Sequence, residues 1–137
     1  LIRASVLKRH PIIADVLNRV RSPFNVSAAA QAAGAAAVAD AGFAEAARVH
    51  NDTWRSWLTT ALTDAGLMVT PSVCNFVLVH FASASPRDAR AADRFLQARG
   101  IIGRRVASYG LPDCLRITIG REDEVRAVAQ ALAEFMA

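Results

Sequence analysis

The sequence predicts an α+β fold in which helices cover one side of a small, mainly antiparallel sheet. Up to Gly66 the apolar residues recur at helical spacing, and after it they alternate with a period of two. In the second half three strands and two helices follow in the order β-α-β-β-α. We therefore expect three leading helices followed by a three-stranded sheet and its covering helices.

The leading segment is predicted to contain three helices. Residues 11–22 begin with a proline and place apolar side chains on one helical face. Ser27 is expected to cap an alanine-rich helix that ends near Asp40, and a longer helix runs from Gly42 to a stop at Gly66. Polar residues and glycines interrupt the alanine-rich run within the ~20 apolar residues that a membrane span needs, so no membrane association is expected.

The second half is predicted to alternate strands with helices. Its first helix is expected to begin at Ser85 as the N-cap, with Pro86 in the first turn and Asp88 at the capping-box position. The last helix carries acidic residues in its first turn, where their negative charges interact favourably with the positive end of the helix dipole. Three strands are expected at 75–81, 101–107 and 114–120, and the two helices at 85–100 and 121–136.

Composition excludes several classes of protein. The 137 residues suffice for one compact domain, and the net charge of +4 is spread along the chain. Because the arginines are dispersed and only 7% of residues are aromatic, no surface for binding nucleic acid is predicted. Cys74 and Cys114 lack CxxC spacing, which favours reduced cysteines in a cytoplasmic protein.

The chain carries few groups for covalent or metal chemistry. No glycine-rich phosphate loop and no metal-ligating cluster is present in the sequence. The histidines His10, His50 and His80 fall on different elements, so no Cys/His nucleophile pair is expected, and His80 is interpreted as a structural residue of its strand. The one lysine is Lys8, which is poorly placed for amine chemistry.

Three arginines on two predicted strands form a candidate anion-binding set. Arg104 and Arg105 are adjacent, so their side chains point to opposite faces, and at most one of them shares a face with Arg116. If the two strands pair, two guanidinium groups converge and bind a carboxylate or phosphate with paired hydrogen bonds. The alternative is that these arginines lie at the rim and pair with Asp or Glu.

Four stretches resemble one family over nearly the whole chain. They are "VLNRVRSPFNVSAAAQAAG" (16–34), "PSVCNFVLVHF" (71–81), "GIIGRRV" (100–106) and "YGLPDCLRITIGREDE" (109–124). In order and spacing they are similar to the C-terminal part of the histidinol-phosphate aminotransferases, which belong to the class I/II (fold-type I) aminotransferases dependent on pyridoxal 5'-phosphate. The resemblance implies that residues 1–66 form a helical segment that links a large domain to a small one. It also implies that residues 67–137 form the small α+β substrate-binding domain.

The resemblance also implies roles for individual residues. Arg116 in "LRIT" is expected to bind the carboxylate of the amino-acid substrate, and to share the phosphate of histidinol phosphate with Arg104 in "GIIGR". Arg3 matches the arginine that holds the cofactor phosphate, although Ser5 and Val6 replace the usual Gly and Tyr. Asn25 in "SPFNVS" is expected near the active site at the interface of a homodimer.

One group essential to the family's chemistry is expected upstream of Leu1. The family's cofactor-binding lysine precedes the arginine aligned with Arg3, whereas Lys8 follows it. The chain is therefore expected to hold no catalytic residue, and to be inactive alone. The whole enzyme is expected to transfer an amino group between histidinol phosphate and 2-oxoglutarate in L-histidine biosynthesis. Two alternatives stay open: an aminotransferase for an aromatic amino acid, and a non-catalytic module for amino-acid binding or dimerisation.

Overall fold

The computed structural model describes residues 10–20, 26–83 and 86–137. Helices and a small antiparallel sheet make up this part of the chain, which confirms the predicted α+β class. A 3₁₀ turn, Ala107–Tyr109, joins the last two strands. The elements in chain order are α1 (Pro11–Val20), α2 (Ala28–Ala39), α3 (Ala41–Asp64), β1 (Met68–Thr70), β2 (Phe76–His80), α4 (Ala89–Gln97), β3 (Arg104–Val106), β4 (Leu111–Thr118) and α5 (Glu122–Met136).

Local sequence signals set the ends of most helices. The Ser27 hydroxyl accepts a hydrogen bond from the amide of Ala30 (3.2 Å), and Gly66 has a φ of 82° after α3, as expected for a helix stop. The prediction for α4 was wrong by one turn. Its N-cap is Asp88, whose carboxylate accepts from the Ala91 amide (2.7 Å), while Ser85 lies outside the described residues.

The sheet has four strands rather than the three that were predicted. Its order is β1-β2-β4-β3, and every neighbouring pair is antiparallel. Strand β1 is only three residues long, too short to show alternation in the sequence. The predicted strand 101–107 is also shorter, at three residues: it contains a register shift between Arg105 and Val106 and is followed at once by the 3₁₀ turn.

One face of the sheet packs against three helices. Alternate residues of β2 and β4 point to this face, and they are almost fully buried against α3, α4 and α5. Burial of so many branched side chains supplies the main stabilising free energy of the fold. The central residues of this core are Leu58, Leu62, Val77, Val79, Leu96, Leu115, Ile117, Val125, Val128 and Leu132.

Contacts divide the chain into two compact units, Leu1–Gly42 and Phe43–Ala137. In the first unit α1 and α2 contain no buried residue. In the second unit α3 contributes Leu58 and Leu62 to the core of the sheet. The division into a linking segment 1–66 and a small domain 67–137, which the resemblance implies, stays a prediction. Among the described residues no helix combines the length and the apolar character that crossing a membrane requires.

Candidate functional site

Strand pairing places two arginines side by side on the face of the sheet opposite the helical core, called the outer face below. Arg104 of β3 and Arg116 of β4 are direct cross-strand partners. Opposite residues of an antiparallel pair have Cβ atoms about 5 Å apart on the same face. The neighbouring pair, Arg105 and Leu115, points to the other face. The register therefore selects Arg104, and not Arg105, as the arginine that shares a face with Arg116.

Aromatic side chains contact both arginines of the outer face. The Nη2 atom of Arg104 donates a hydrogen bond to the Tyr109 hydroxyl (2.9 Å), and its guanidinium carbon lies 5.7 Å from the centre of that ring. The guanidinium carbon of Arg116 lies 4.7 Å from the centre of the Phe76 ring. Such cation–π contacts orient a guanidinium without neutralising its charge, so both groups keep hydrogen-bond donors for an anion.

Neither arginine is paired with a carboxylate within residues 10–20, 26–83 and 86–137. Ion pairs in that part of the chain involve other arginines, for example Arg55 with Asp52 (2.8 Å) and Arg126 with Glu122 (2.9 Å). The Nε atom of Arg116 is buried and has no hydrogen-bond acceptor there. The alternative of rim arginines paired with Asp or Glu thus has no support among the described residues.

The pairing of Arg104 with Arg116 is electrostatically unfavourable without an anion. Like charges directly opposite each other on a sheet destabilise it, and a buried polar atom without a partner adds to the cost. Both costs vanish when a carboxylate or phosphate accepts hydrogen bonds from the two groups, because charge-assisted pairs with guanidinium are among the strongest hydrogen bonds in proteins. The arrangement is therefore suited to binding a small anion.

A second polar cluster, centred on His80, lies on the outer face. The spacing of the cysteines and histidines did not predict this contact: the Cys114 sulfur lies 3.3 Å from Nδ1 of His80, and the Thr70 hydroxyl lies 2.7 Å from Nε2 of the same ring. Burial, and then the negative charge of Asp113, raise the pKa of the Cys114 thiol. A thiol with a raised pKa is a poorer nucleophile near neutral pH, so we infer no Cys/His nucleophile pair, and the structural role of His80 stays a prediction.

Two contacts tie the long helix α3 to the ends of the central strands. Nε2 of His50 lies 2.9 Å from the carbonyl oxygen of Gly120, just after β4, and the Asn51 amide donates to the carbonyl of Cys74 (3.3 Å), just before β2. Both contacts lie at the same end of the sheet, where β2 begins and β4, the strand that carries Arg116, ends. No local pattern indicates them, because each joins residues far apart in the sequence.

A cavity of about 400 Å³ lies elsewhere in the second unit. It is lined mainly by Ile101, Ile102, Ile117 and Val128, and its one charged lining residue is Glu124. A carboxylate at an apolar cavity repels an anion. The outer face, with its two arginines, is therefore the better candidate for binding an anionic ligand.

Several predicted residues cannot be placed in this site. Arg3 and Asn25, expected at the cofactor phosphate and at a dimer interface, lie outside the described residues, as does Lys8. The roles of Arg104 and Arg116 in substrate binding also stay predictions. Tyr109 and Phe76 were not identified from the sequence. The signals available were that Tyr109 follows Arg104 closely in the sequence and that Phe76 lies on the strand paired with that of Arg116.

The chain is similar to known aminotransferases along most of its length. The family described as aminotransferase class I and II matches residues 3–132. Histidinol-phosphate aminotransferases from Paramagnetospirillum magneticum and Rhodospirillum rubrum are 55% and 54% identical to it over 90% and 91% of the chain. The chain spans only 34% of the length of each of these relatives.

Solved structures give the same result. A putative aminotransferase from Burkholderia pseudomallei superposes with a TM-score of 0.79 at 32% identity, over 90% of this chain and 37% of that one. The histidinol-phosphate aminotransferase of Sinorhizobium meliloti, determined in complex with pyridoxal-5'-phosphate, superposes with a TM-score of 0.76 at 31% identity, over 92% of this chain and 34% of that one.

Proposed function

Because the chain belongs to the class I and II aminotransferase family, we propose that it forms the substrate-binding part of a histidinol-phosphate aminotransferase. The whole enzyme transfers an amino group between histidinol phosphate and 2-oxoglutarate with pyridoxal 5'-phosphate as cofactor, and acts as a homodimer. The observation that carries the proposal is the pair of arginines on the outer face, Arg104 opposite Arg116, with no carboxylate partner among the described residues.

The two arginines bind the anionic end of both substrates. Arg116 lies on a central strand of the sheet, and its planar guanidinium can donate two parallel hydrogen bonds to the two oxygens of a carboxylate. Arg104 lies on the edge strand next to the strand of Arg116, and it adds a second guanidinium group that binds the phosphate of histidinol phosphate. Because each substrate has an anionic group close to the carbon that takes part in amino transfer, a single pair of guanidinium groups holds that part of each substrate in the same orientation.

The cofactor, when bound, supplies the conjugated ring that accepts electrons during amino transfer. The described residues offer no anchor that fits it, because they include no lysine and their paired arginines suit the substrate instead. Arg3, which the resemblance assigns to the cofactor phosphate, and Asn25 at the dimer interface belong to this proposal as well. What the described part of the chain contributes is binding and orientation of the substrate.

A chimeric enzyme tests the proposal. The part of the Paramagnetospirillum magneticum relative that precedes its matched region is joined to this chain, and amino transfer from histidinol phosphate to 2-oxoglutarate is measured. We expect activity that depends on added pyridoxal 5'-phosphate and none from the 137-residue chain alone. Arg116→Gln should abolish most of the activity, whereas Arg99→Gln, which removes a surface arginine beside Glu134, should not.

The same experiment separates the alternatives. A chimera that unfolds cooperatively and binds the cofactor, yet prefers an aromatic amino acid to histidinol phosphate, would refute the substrate assignment. A folded chimera that transfers no amino group at all, while the 137-residue chain binds amino acids saturably, would favour a non-catalytic binding module instead.

A further inference from the structure

Arg104 needs a partner to hold its guanidinium in place. It is exposed, and it is the first residue of a three-residue strand at the edge of the sheet. A free arginine side chain at such a position samples many rotamers, and fixing it costs conformational entropy. Arg116 does not face this cost to the same extent, because it is half-buried on a central strand and lies over the Phe76 ring.

Tyr109 supplies the contacts that fix Arg104. Its hydroxyl accepts the hydrogen bond from Nη2 of Arg104 (2.9 Å), and its ring lies close enough for a cation–π contact (5.7 Å). A guanidinium has five N–H donors, of which this bond uses one, so the others stay free for a ligand. Because the phenol oxygen is uncharged, the bond orients Arg104 and leaves its positive charge available.

The backbone that carries Tyr109 is itself well determined. Tyr109 ends the 3₁₀ turn, and Gly110 follows it with a φ of 80°, a conformation that residues with a Cβ rarely adopt. The Gly110 amide donates to the carbonyl of Ala107 (3.0 Å), which closes the turn. The turn directly follows β3, where the register against β4 shifts between Arg105 and Val106.

We propose that Tyr109 is a positioning residue that holds the Arg104 guanidinium beside Arg116 and thereby makes the outer face prefer a phosphate over a carboxylate. This inference rests on the proposed function. A carboxylate carries one negative charge, and one guanidinium group can donate hydrogen bonds to both of its oxygens. A phosphate monoester carries nearly two negative charges at neutral pH and has three acceptor oxygens. Only the phosphate gains strongly from a second, fixed guanidinium.

Anion titrations of the 137-residue chain test this inference. Inorganic phosphate and acetate are titrated at constant ionic strength and a pH of about 8, where phosphate is mainly dianionic, while NMR follows the backbone and arginine Nε–H signals. The variant is Tyr109→Phe, which removes the acceptor and keeps the ring. Ser108→Ala is the matched control, because it removes a hydroxyl from the same turn.

We expect Tyr109→Phe to weaken phosphate binding on the order of fivefold, with acetate binding changed by less than about twofold. In an Arg104→Gln background the same substitution should have no further effect, since the residue acts through that arginine. A purely structural role would weaken both anions alike and would persist in the Arg104→Gln background.

Two results would overturn the inference, and they are distinguishable. If wild-type chain binds phosphate with shifts at Arg104 and Arg116 but Tyr109→Phe binds it equally well, Tyr109 has no positioning role and the proposed function stands. If wild-type chain binds neither anion at these arginines, the proposed function fails together with the inference.

Discussion

Replacing Arg116 by methionine should stabilise the chain in the absence of ligand. Binding sites often keep groups that are unfavourable until the ligand arrives, and their removal then raises stability. Arg116 faces Arg104 across the strand pair, and its buried Nε atom has no acceptor among the described residues. Methionine keeps an unbranched apolar body that packs beside Phe76, and it removes the charge.

The expected gain follows from three opposing contributions. Two guanidinium groups about 6 Å apart near a protein surface repel each other by roughly 3 kcal/mol without salt, and screening at physiological ionic strength lowers this to roughly 1 kcal/mol. The unsatisfied Nε atom costs about 1 kcal/mol more. The lost contact with the Phe76 ring, whose centre lies 4.7 Å from the guanidinium carbon, subtracts about 0.5–1 kcal/mol. Arg116→Met should therefore raise the free energy of unfolding by about 1 kcal/mol.

Urea unfolding followed by circular dichroism measures this change. Part of the gain is electrostatic, so it should shrink in about 1 M NaCl, where the Debye length falls to ~3 Å. Inorganic phosphate should stabilise the wild-type chain and not the variant, because only a native state with the site gains by binding. Arg55→Met is the matched control, since it removes a half-buried arginine paired with Asp52 (2.8 Å) and should destabilise.

The reasoning would be refuted if Arg116→Met destabilised the chain by about as much as Arg55→Met. That result would mean that Arg116 has a stabilising partner and serves the fold rather than a ligand. Equal stabilisation of wild type and variant by phosphate would refute the binding role separately.

Three further predictions concern the fold around the site. Leu115→Ala should lower the free energy of unfolding by about 2–5 kcal/mol in urea melts, because Leu115 is 0% exposed. Gly110→Ala should cost about 1 kcal/mol in the same melts and weaken phosphate binding, because the turn requires a φ of 80°. In separate single-cysteine variants, iodoacetamide should modify Cys114 far more slowly than Cys74, and only at higher pH, because burial raises the pKa of the Cys114 thiol and lowers its thiolate fraction.

Each of these predictions has a contradicting outcome. If the Leu115→Ala variant had the same free energy of unfolding as the wild-type chain, the sheet would not be packed on the helices. Wild-type phosphate affinity for Gly110→Ala would separate the turn from the anion site. Comparable alkylation rates for Cys74 and Cys114 near neutral pH would show that the strand carrying Cys114 opens readily.

Features set by local sequence were predictable. Ser27 and Gly66 set helix ends through their own conformational preferences, and the alternation around Arg116 marks a strand with one apolar face. The misplaced start of α4 has a local cause too. Ser85 and Asp88 are both good N-cap residues, and only the observed bond to Ala91 distinguishes them.

Features set by strand register were not predictable. Because a shift of one residue exchanges the two faces of a strand, the strand pattern alone left open which arginine of the doublet joins Arg116, and only the family resemblance selected Arg104. The contact between His80 and Cys114 depends on the same kind of information, since the two are cross-strand partners 34 residues apart. Tyr109 contacts Arg104 across a 3₁₀ turn that follows a register shift between β3 and β4, and neither feature has a signal in the local sequence pattern.

The central claim is that Arg116 binds the anionic end of both substrates and Arg104 mainly the phosphate. Steady-state kinetics of the chimeric enzyme test it most directly, through the KM values for histidinol phosphate and glutamate. We predict that Arg116→Gln raises both KM values by about tenfold or more, and that Arg104→Gln raises chiefly the value for histidinol phosphate. Unchanged KM values for both substrates in a folded, active Arg116→Gln enzyme would contradict the claim.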